Sequence, residues 1–183
     1  DTARKTGFQS IKINAVAVRN FSESEIMSLI DMGRSDGFEI RFIEFMPFGS
    51  LWSPEHIFPQ NEIVSTLESA FGPITKNKTI PGETAQTYRL AGGESFGIIP
   101  TWSTPFCSHC DRLRLSADGK IFPCLFSTNG EDLRPLLRNA ASHEELQNLV
   151  ARSLSRKGIG YMEEIRHDQT FDQPVRNMKR IGG

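Results

Sequence analysis

Cys107, Ser108, His109 and Cys110 are followed, after thirteen intervening residues, by Cys124, and the chain holds no other cysteine. Thiolates are soft ligands for zinc and for iron–sulfur clusters. Three instead of four leaves two alternatives: another residue type completes the site, or one metal position stays open for chemistry. Between the second and third cysteines the run from Asp111 to Lys120 reads as strand, tight turn, strand. The expected site is therefore a hairpin with thiolates at both ends. Arg112 and Arg114, two apart in the first strand, project from one face, with Leu113 and Leu115 on the other. A guanidinium pair beside a metal suits a phosphorylated or otherwise anionic ligand. The bland alternative is that these arginines balance sulfur charge or lie on a solvated strand face. Structural zinc, the main rival for the cysteines, takes four protein ligands. His109 adjoins Cys110, which strains a shared tetrahedron, and His56, His143 and His167 show no ligand spacing. A three-cysteine cluster with one open iron fits the spacing better.

The elements that must carry this hairpin are those of an ordinary globular chain. A hydrophobic content of 38%, a charged content of 23% and a net charge of -1 exclude a general attraction for nucleic acid or membrane surfaces. No apolar run approaches the roughly 20 residues of a membrane span. An odd, clustered cysteine count argues against a disulfide framework and for a reducing, cytoplasmic compartment. The start, Thr2-Ala3-Arg4-Lys5 running at once into a strand, reads as a cut into something larger.

Residues 11–19 are short, apolar and β-branched, as buried parallel strands are. Ser22 and Glu25 supply a capping box for a helix whose apolar face is Ile26, Met27, Leu29 and Ile30, with Gly33 and Gly37 marking its stop. Residues 40–46 form a second strand, ended by Pro47. Strand, helix, strand is one βαβ unit, of the kind found in parallel barrels and open sheets. Ligands collect at the carboxyl ends of such strands, which places Met46 well, although a lone methionine is ordinarily packing. Lys12 interrupts the first strand; it either meets an anion or faces solvent. Glu44 shares a face with Met46, and its bland reading is an ion pair with such a lysine. Ile63, Val64, Leu67, Ala70 and Phe71 share a helical face, hairpin texture follows around Tyr88 and residues 98–99, and Ser142 with Glu145 caps a further helix. The fold class is α/β, with a boundary at residues 72 and 73: residues 1–72 a piece of a parallel unit, residues 73–183 a smaller α+β module carrying the metal site and a tail.

The motif Cys107-x-x-Cys110-x-Arg112-x-Arg114-Leu115-x-Ala117-Asp118-Gly119-Lys120, followed by Cys124-Leu125-Phe126, resembles the C-terminal cluster motif of the GTP 3′,8-cyclases, the radical S-adenosylmethionine enzymes of molybdenum-cofactor biosynthesis. Residues 41–47, Arg-Phe-Ile-Glu-Phe-Met-Pro, resemble a late barrel strand of that family, and residues 12–16 the strand before it. The closing Gly182-Gly183 is also a family feature. The resemblance implies the C-terminal part of an incomplete TIM-type barrel followed by a small α+β iron–sulfur domain. It implies that Cys107, Cys110 and Cys124 bind a 4Fe–4S cluster whose fourth iron faces the purine of GTP. Arg112, Leu113 and Arg114 match the GTP-contacting segment, Lys12 a GTP-binding lysine, and Met46 a contact to S-adenosylmethionine. Gly182 and Gly183 match a tail that enters the active site and assists catalysis. The implied reaction is the radical rearrangement of GTP to (8S)-3′,8-cyclo-7,8-dihydroguanosine 5′-triphosphate. The implied functional partner is cyclic pyranopterin monophosphate synthase, with a homodimer as a possible assembly.

One departure is large. Radical chemistry in this family starts at a Cys-x-x-x-Cys-x-x-Cys motif holding a second 4Fe–4S cluster, and the sequence contains none. The expectation is a C-terminal fragment, inactive alone, whose unclosed barrel leaves an exposed edge and apolar surface. Two rivals remain: a zinc-stabilised nucleotide-binding module, and a radical maturase that uses an auxiliary cluster on a peptide. The Arg-x-Arg after Cys110 and the diglycine terminus favour the cyclase over the maturase.

Overall fold

The structure, a computed structural model, describes residues 2–48, 51–127 and 129–157. Gly182 and Gly183 lie outside the described residues. The chain groups into two compact units, Asp1–Met46 with Ser53–Phe106, and Pro47–Trp52 with Cys107–Gly183. Among the described residues no helix is long and apolar enough to cross a membrane.

The first unit begins with a one-turn helix, α1 (Thr2–Lys5), then β1 (Lys12–Ala17), α2 (Glu23–Asp36), β2 (Glu39–Glu44) and α3 (Gln60–Phe71). Short strands follow: β3 (Thr75–Lys76), β4 (Gln86–Arg89) and β5 (Ser95–Ile99). Their sheet runs in the order β1-β2-β5-β4-β3. β1 pairs parallel with β2, and β2 parallel with β5, while β4 pairs antiparallel with both β5 and β3. The molecule is thus a mixed α/β protein. The hairpin expected after residue 73 does form, but it is not separate from the parallel pair. Ile40 to Ile43 of β2 face Phe96 to Ile99 of β5, and this ladder draws the hairpin into the first unit.

One face of this sheet is covered. Ala17, Ile40, Phe42, Phe96 and Ile98 pack against Ile26 and Ile30 of α2 and Ile63 and Leu67 of α3, all buried. On the opposite face of β1, Lys12, Asn14 and Val16 are exposed, Val16 by 52%. The strand expected to be buried on both sides therefore alternates in this unit, because helices cover only one side. α2 lies close on β2 at Gly33, where an added Cβ would fall 2.9 Å from the Phe38 carbonyl oxygen and from Ile40 Cγ1. α2 ends at Gly37 in the left-handed region (φ 70°), whose N–H donates to the Gly33 carbonyl.

The capping box expected at Ser22 is not formed. Ser22 has near-helical dihedrals, and its Oγ accepts from the Val18 N–H at 3.1 Å instead of capping α2. Glu23, not Glu25, reaches back, to the Asn20 N–H at 2.7 Å. The competing partner, the Val18 amide just past the end of β1, takes the hydroxyl instead.

The second unit holds a 3₁₀ turn (Cys107–His109), then β6 (Arg114–Leu115), β7 (Lys120–Phe122) and β8 (Glu131–Asp132), antiparallel in that order. The β6–β7 turn closes with Gly119 N–H on the Ser116 carbonyl, and Gly119 takes a φ of 77°. α4 (Arg134–Arg138) and α5 (His143–Ser155) follow. Here the expected capping box is present: Glu145 N–H donates to Ser142 Oγ, and Ser142 N–H to Glu145 Oε2 at 2.7 Å. α5 packs against β7 with Leu149 and Ser153 buried, while Leu154 is 41% exposed.

Asp132 opens α4. It accepts from the Arg134 N–H at 2.9 Å and pairs with the Arg134 guanidinium, Nη2 to Oδ2 at 2.6 Å. The Arg134 guanidinium and N–H together hold the Asp132 carboxyl down to about 2. A depressed folded-state value contributes stability above the ordinary aspartate range that disappears as pH falls toward 2. Asp132→Asn is therefore expected to flatten the stability-versus-pH curve between about pH 4 and pH 2. Denaturant melts across that window check it, and parallel curves for the two proteins would refute it.

Candidate functional site

The 3₁₀ turn carrying the first two cysteines closes with Cys110 N–H on the Cys107 carbonyl at 3.1 Å. Cys124 lies two residues past β7, in a turn closed by Ser127 N–H on its carbonyl at 3.2 Å. None of the three forms a disulfide, and all are half-buried. Burial pushes the Cys124 thiol up, as does the nearby Cys110, while the Phe126 and Leu125 amides directed at its sulfur and the Lys157 charge pull it down. Cys110 and Cys124 are thus within electrostatic reach of each other. Among the described residues, no three histidine, cysteine, aspartate or glutamate side chains gather into a group that could hold a metal ion. His109 is exposed, with Nδ1 2.9 Å from Ser108 Oγ.

The arginines differ from the expected strand pair. β6 starts at Arg114, because only Arg114 and Leu115 find partners, Phe122 and Ile121. Arg112 lies in the segment before it and is exposed, its Nη1 3.9 Å from Cys110 Sγ. Arg114 and Leu113 are half-buried. Burial lowers the Arg114 guanidinium from its ordinary value, as does Arg112, against the opposing pull of Cys124 and Cys110. Two thiols and two guanidiniums therefore share one neighbourhood in the second unit. Lys157, which the sequence reading passed over, joins them: its Nζ donates to the Arg112 carbonyl at 2.5 Å.

Lys12 and Met46 belong to the first unit. Lys12 opens β1 and is exposed; its register neighbour Glu39 is engaged by Arg41 at 2.6 Å. Met46 is half-buried, two residues beyond the carboxyl end of β2. Since β1 and β2 are parallel and Lys12 faces Glu39, the two residues lie toward opposite ends of the pair.

Glu44 is not paired as expected. It is fully buried, and its carboxylate accepts from Gln60 N–H (2.7 Å), Trp102 N–H (2.7 Å), Ser103 N–H (2.8 Å) and Ser103 Oγ–H (2.5 Å). Its main-chain carbonyl accepts from Thr101 Oγ1 at 3.0 Å. It joins the end of β2, the N-terminus of α3 and the loop after β5. The only sequence signal for this role was an acidic residue on the inward face of a strand.

Residues 38–163 match the family model described as Molybdenum Cofactor Synthesis C. The chain is 35% identical over 188 residues to the GTP 3′,8-cyclase of Thermodesulfovibrio yellowstonii, covering 100% of this chain and 55% of that protein. It is 36% identical to the GTP 3′,8-cyclase of Rhodopirellula baltica, covering 100% of this chain and 52% of the relative. With the mitochondrial GTP 3′,8-cyclase of Arabidopsis thaliana it shares 32% identity, over 100% of this chain and 47% of the plant protein. The chain spans about half the length of the curated relatives it matches.

Proposed function

Because the chain belongs to the Molybdenum Cofactor Synthesis C family, we propose that it is the substrate-holding part of a GTP 3′,8-cyclase, the enzyme that forms (8S)-3′,8-cyclo-7,8-dihydroguanosine 5′-triphosphate on the way to molybdopterin. In this reading residues of the first unit belong to a partial barrel, and the second unit is an iron–sulfur domain. Cys107, Cys110 and Cys124 hold a 4Fe–4S cluster, Arg112, Leu113 and Arg114 contact GTP, Lys12 adds a GTP contact, and Met46 touches S-adenosylmethionine. The chemistry of the donor set fits such a cluster: three half-buried soft thiols with cationic side chains beside them. A cubane takes each thiolate on a different iron, so its ligands need not meet at one point. Once bound, the cluster supplies a Lewis-acidic iron at which an electron-rich purine can dock.

The observation that carries the reading is the half-buried Arg114 guanidinium within electrostatic reach of Cys124 and Cys110, where low dielectric strengthens its attraction for anions. Arg112, exposed beside Cys110, extends the same positive field to solvent. Together they suit a polyanionic nucleotide, with Arg114 on the paired strand β6 and Arg112 on the segment that leads into it. Leu113, between them, offers apolar surface.

Equilibrium GTP binding by the cluster-loaded chain tests this. Arg114→Ala is expected to weaken binding by roughly 3 kcal/mol, the upper range for a hydrogen bond to a charged group, and the exposed Arg112→Ala by about 1.5 kcal/mol. Affinity unchanged in both variants would return the arginines to a solvated surface.

A further inference from the structure

Lys157 is the second residue past the end of α5, and its backbone N–H still donates to the Leu154 carbonyl, so it rides on the final turn of that helix. Its three predecessors, Leu154, Ser155 and Arg156, are exposed, yet Lys157 is half-buried. The side chain turns inward, and its Nζ donates to the main-chain carbonyl of Arg112 at 2.5 Å. Among the described residues, no acidic side chain pairs with it. A long cationic side chain held on a carbonyl restrains the backbone it reaches.

The segment it reaches is the one that matters. Residues 110–113 join the Cys107–His109 turn to β6 and have no ladder partner of their own, since pairing starts at Arg114. α5 at the other end of the contact is anchored, by its capping box and by packing on β7. Lys157 therefore ties a linker that lies outside the β6–β7–β8 ladder to a capped helix, at the residue two before Arg114. Its ammonium also adds positive charge close to Cys124.

We propose that Lys157 is a positioning residue for the anion site, clamping the Arg112 backbone so that Arg112 and Arg114 are presented together beside the cysteines. The proposal rests on the reading of that segment as the GTP-binding one. The clamp sets the entropy of the binding segment before any ligand arrives: a linker held in its bound shape loses less freedom on binding. It requires a cationic donor at the end of a long stem, which arginine also supplies and methionine does not.

The test has two arms. In the metal-free chain, amide hydrogen exchange across residues 112–115 is expected to accelerate about fivefold in Lys157→Ala and Lys157→Met, while Lys157→Arg stays near wild type. Exchange in β7 and the melting temperature are expected to be unchanged, which separates the clamp from a general loss of fold. In the cluster-loaded chain, Lys157→Ala and Lys157→Met are expected to weaken GTP binding about five- to tenfold, with rescue by Lys157→Arg. Unchanged exchange in Lys157→Ala overturns the clamp. Faster exchange with unaltered GTP affinity overturns its service to the site. A wild-type chain that binds no GTP while the exchange arm behaves as expected sinks the substrate reading and supports the clamp.

Discussion

Replacing Glu44 by leucine is expected to cost roughly 3–6 kcal/mol of stability, from three buried amides each stranded at about 1–2 kcal/mol. The amides are those of Gln60, Trp102 and Ser103, and the Ser103 hydroxyl loses its acceptor too. Against a typical total of about 5–15 kcal/mol, such a loss brings the first unit close to unfolding. Glu44→Gln is the finer test. Its oxygen can keep the Trp102 and Ser103 amides while its NH2 donates to Ser103 Oγ. Only the Gln60 N–H is then stranded, so the expected loss falls to roughly 1–3 kcal/mol. Denaturant unfolding followed by tryptophan fluorescence measures both, since Trp102 is one of only two tryptophans and sits on the network. A leucine variant within about 0.5 kcal/mol of wild type, the usual spread of a neutral surface change, would mean the donors find other partners.

Why the sequence reading missed this network follows from distance along the chain. Glu44 meets donors 16, 58 and 59 residues away, and nothing local to residues 40–46 announces them. An acidic side chain on a strand's inward face suggests an ion pair, whereas a helix N-terminus and a loop of amides serve equally well. The same division separates the two capping boxes. Ser142 and Glu145 read correctly because their partners lie within four residues. Ser22 and Glu25 carry the same pattern, but the end of β1 competes for the hydroxyl. The βαβ unit and the hairpin at the cysteines were legible from period and spacing, whereas its third strand, β8, was not. The parallel pairing of β5 with β2 was not, because it joins segments more than fifty residues apart and changes which unit owns the hairpin. At the site, the clustering of cysteines and arginines was plain in one short stretch. That Arg112 falls outside β6, and that Lys157 reaches its carbonyl, depends on where β6 finds its partner and where α5 ends.

Cys124→Ser is expected to abolish most iron uptake. Reconstituted anaerobically, the wild-type chain should take up about four irons, the content of one cubane. Cys124 is the proposed ligand whose surroundings the structure describes most fully. Burial pushes its thiol up, so it ionises only with help from the amides of Phe126 and Leu125, the Lys157 charge and the metal itself. A serine hydroxyl in the same turn keeps the size but ionises far less readily and is a harder ligand, so the iron on that corner loses its bond. The change from sulfur to oxygen leaves the β6–β7–β8 ladder and the α5 contact intact, so circular dichroism of the metal-free variant should match wild type. Iron and sulfide analysis of both proteins reads the result directly. Stoichiometric zinc with no iron uptake in the wild type would instead place the chain with zinc-stabilised modules. The same loaded protein, given dithionite, S-adenosylmethionine and GTP, is expected to release no 5′-deoxyadenosine by mass spectrometry. All three cysteines of the sequence go to one cluster in the proposed reading, and none is left to hold the second cluster on which cofactor cleavage depends. Release above a cluster-free control would overturn the division of labour proposed for these 183 residues.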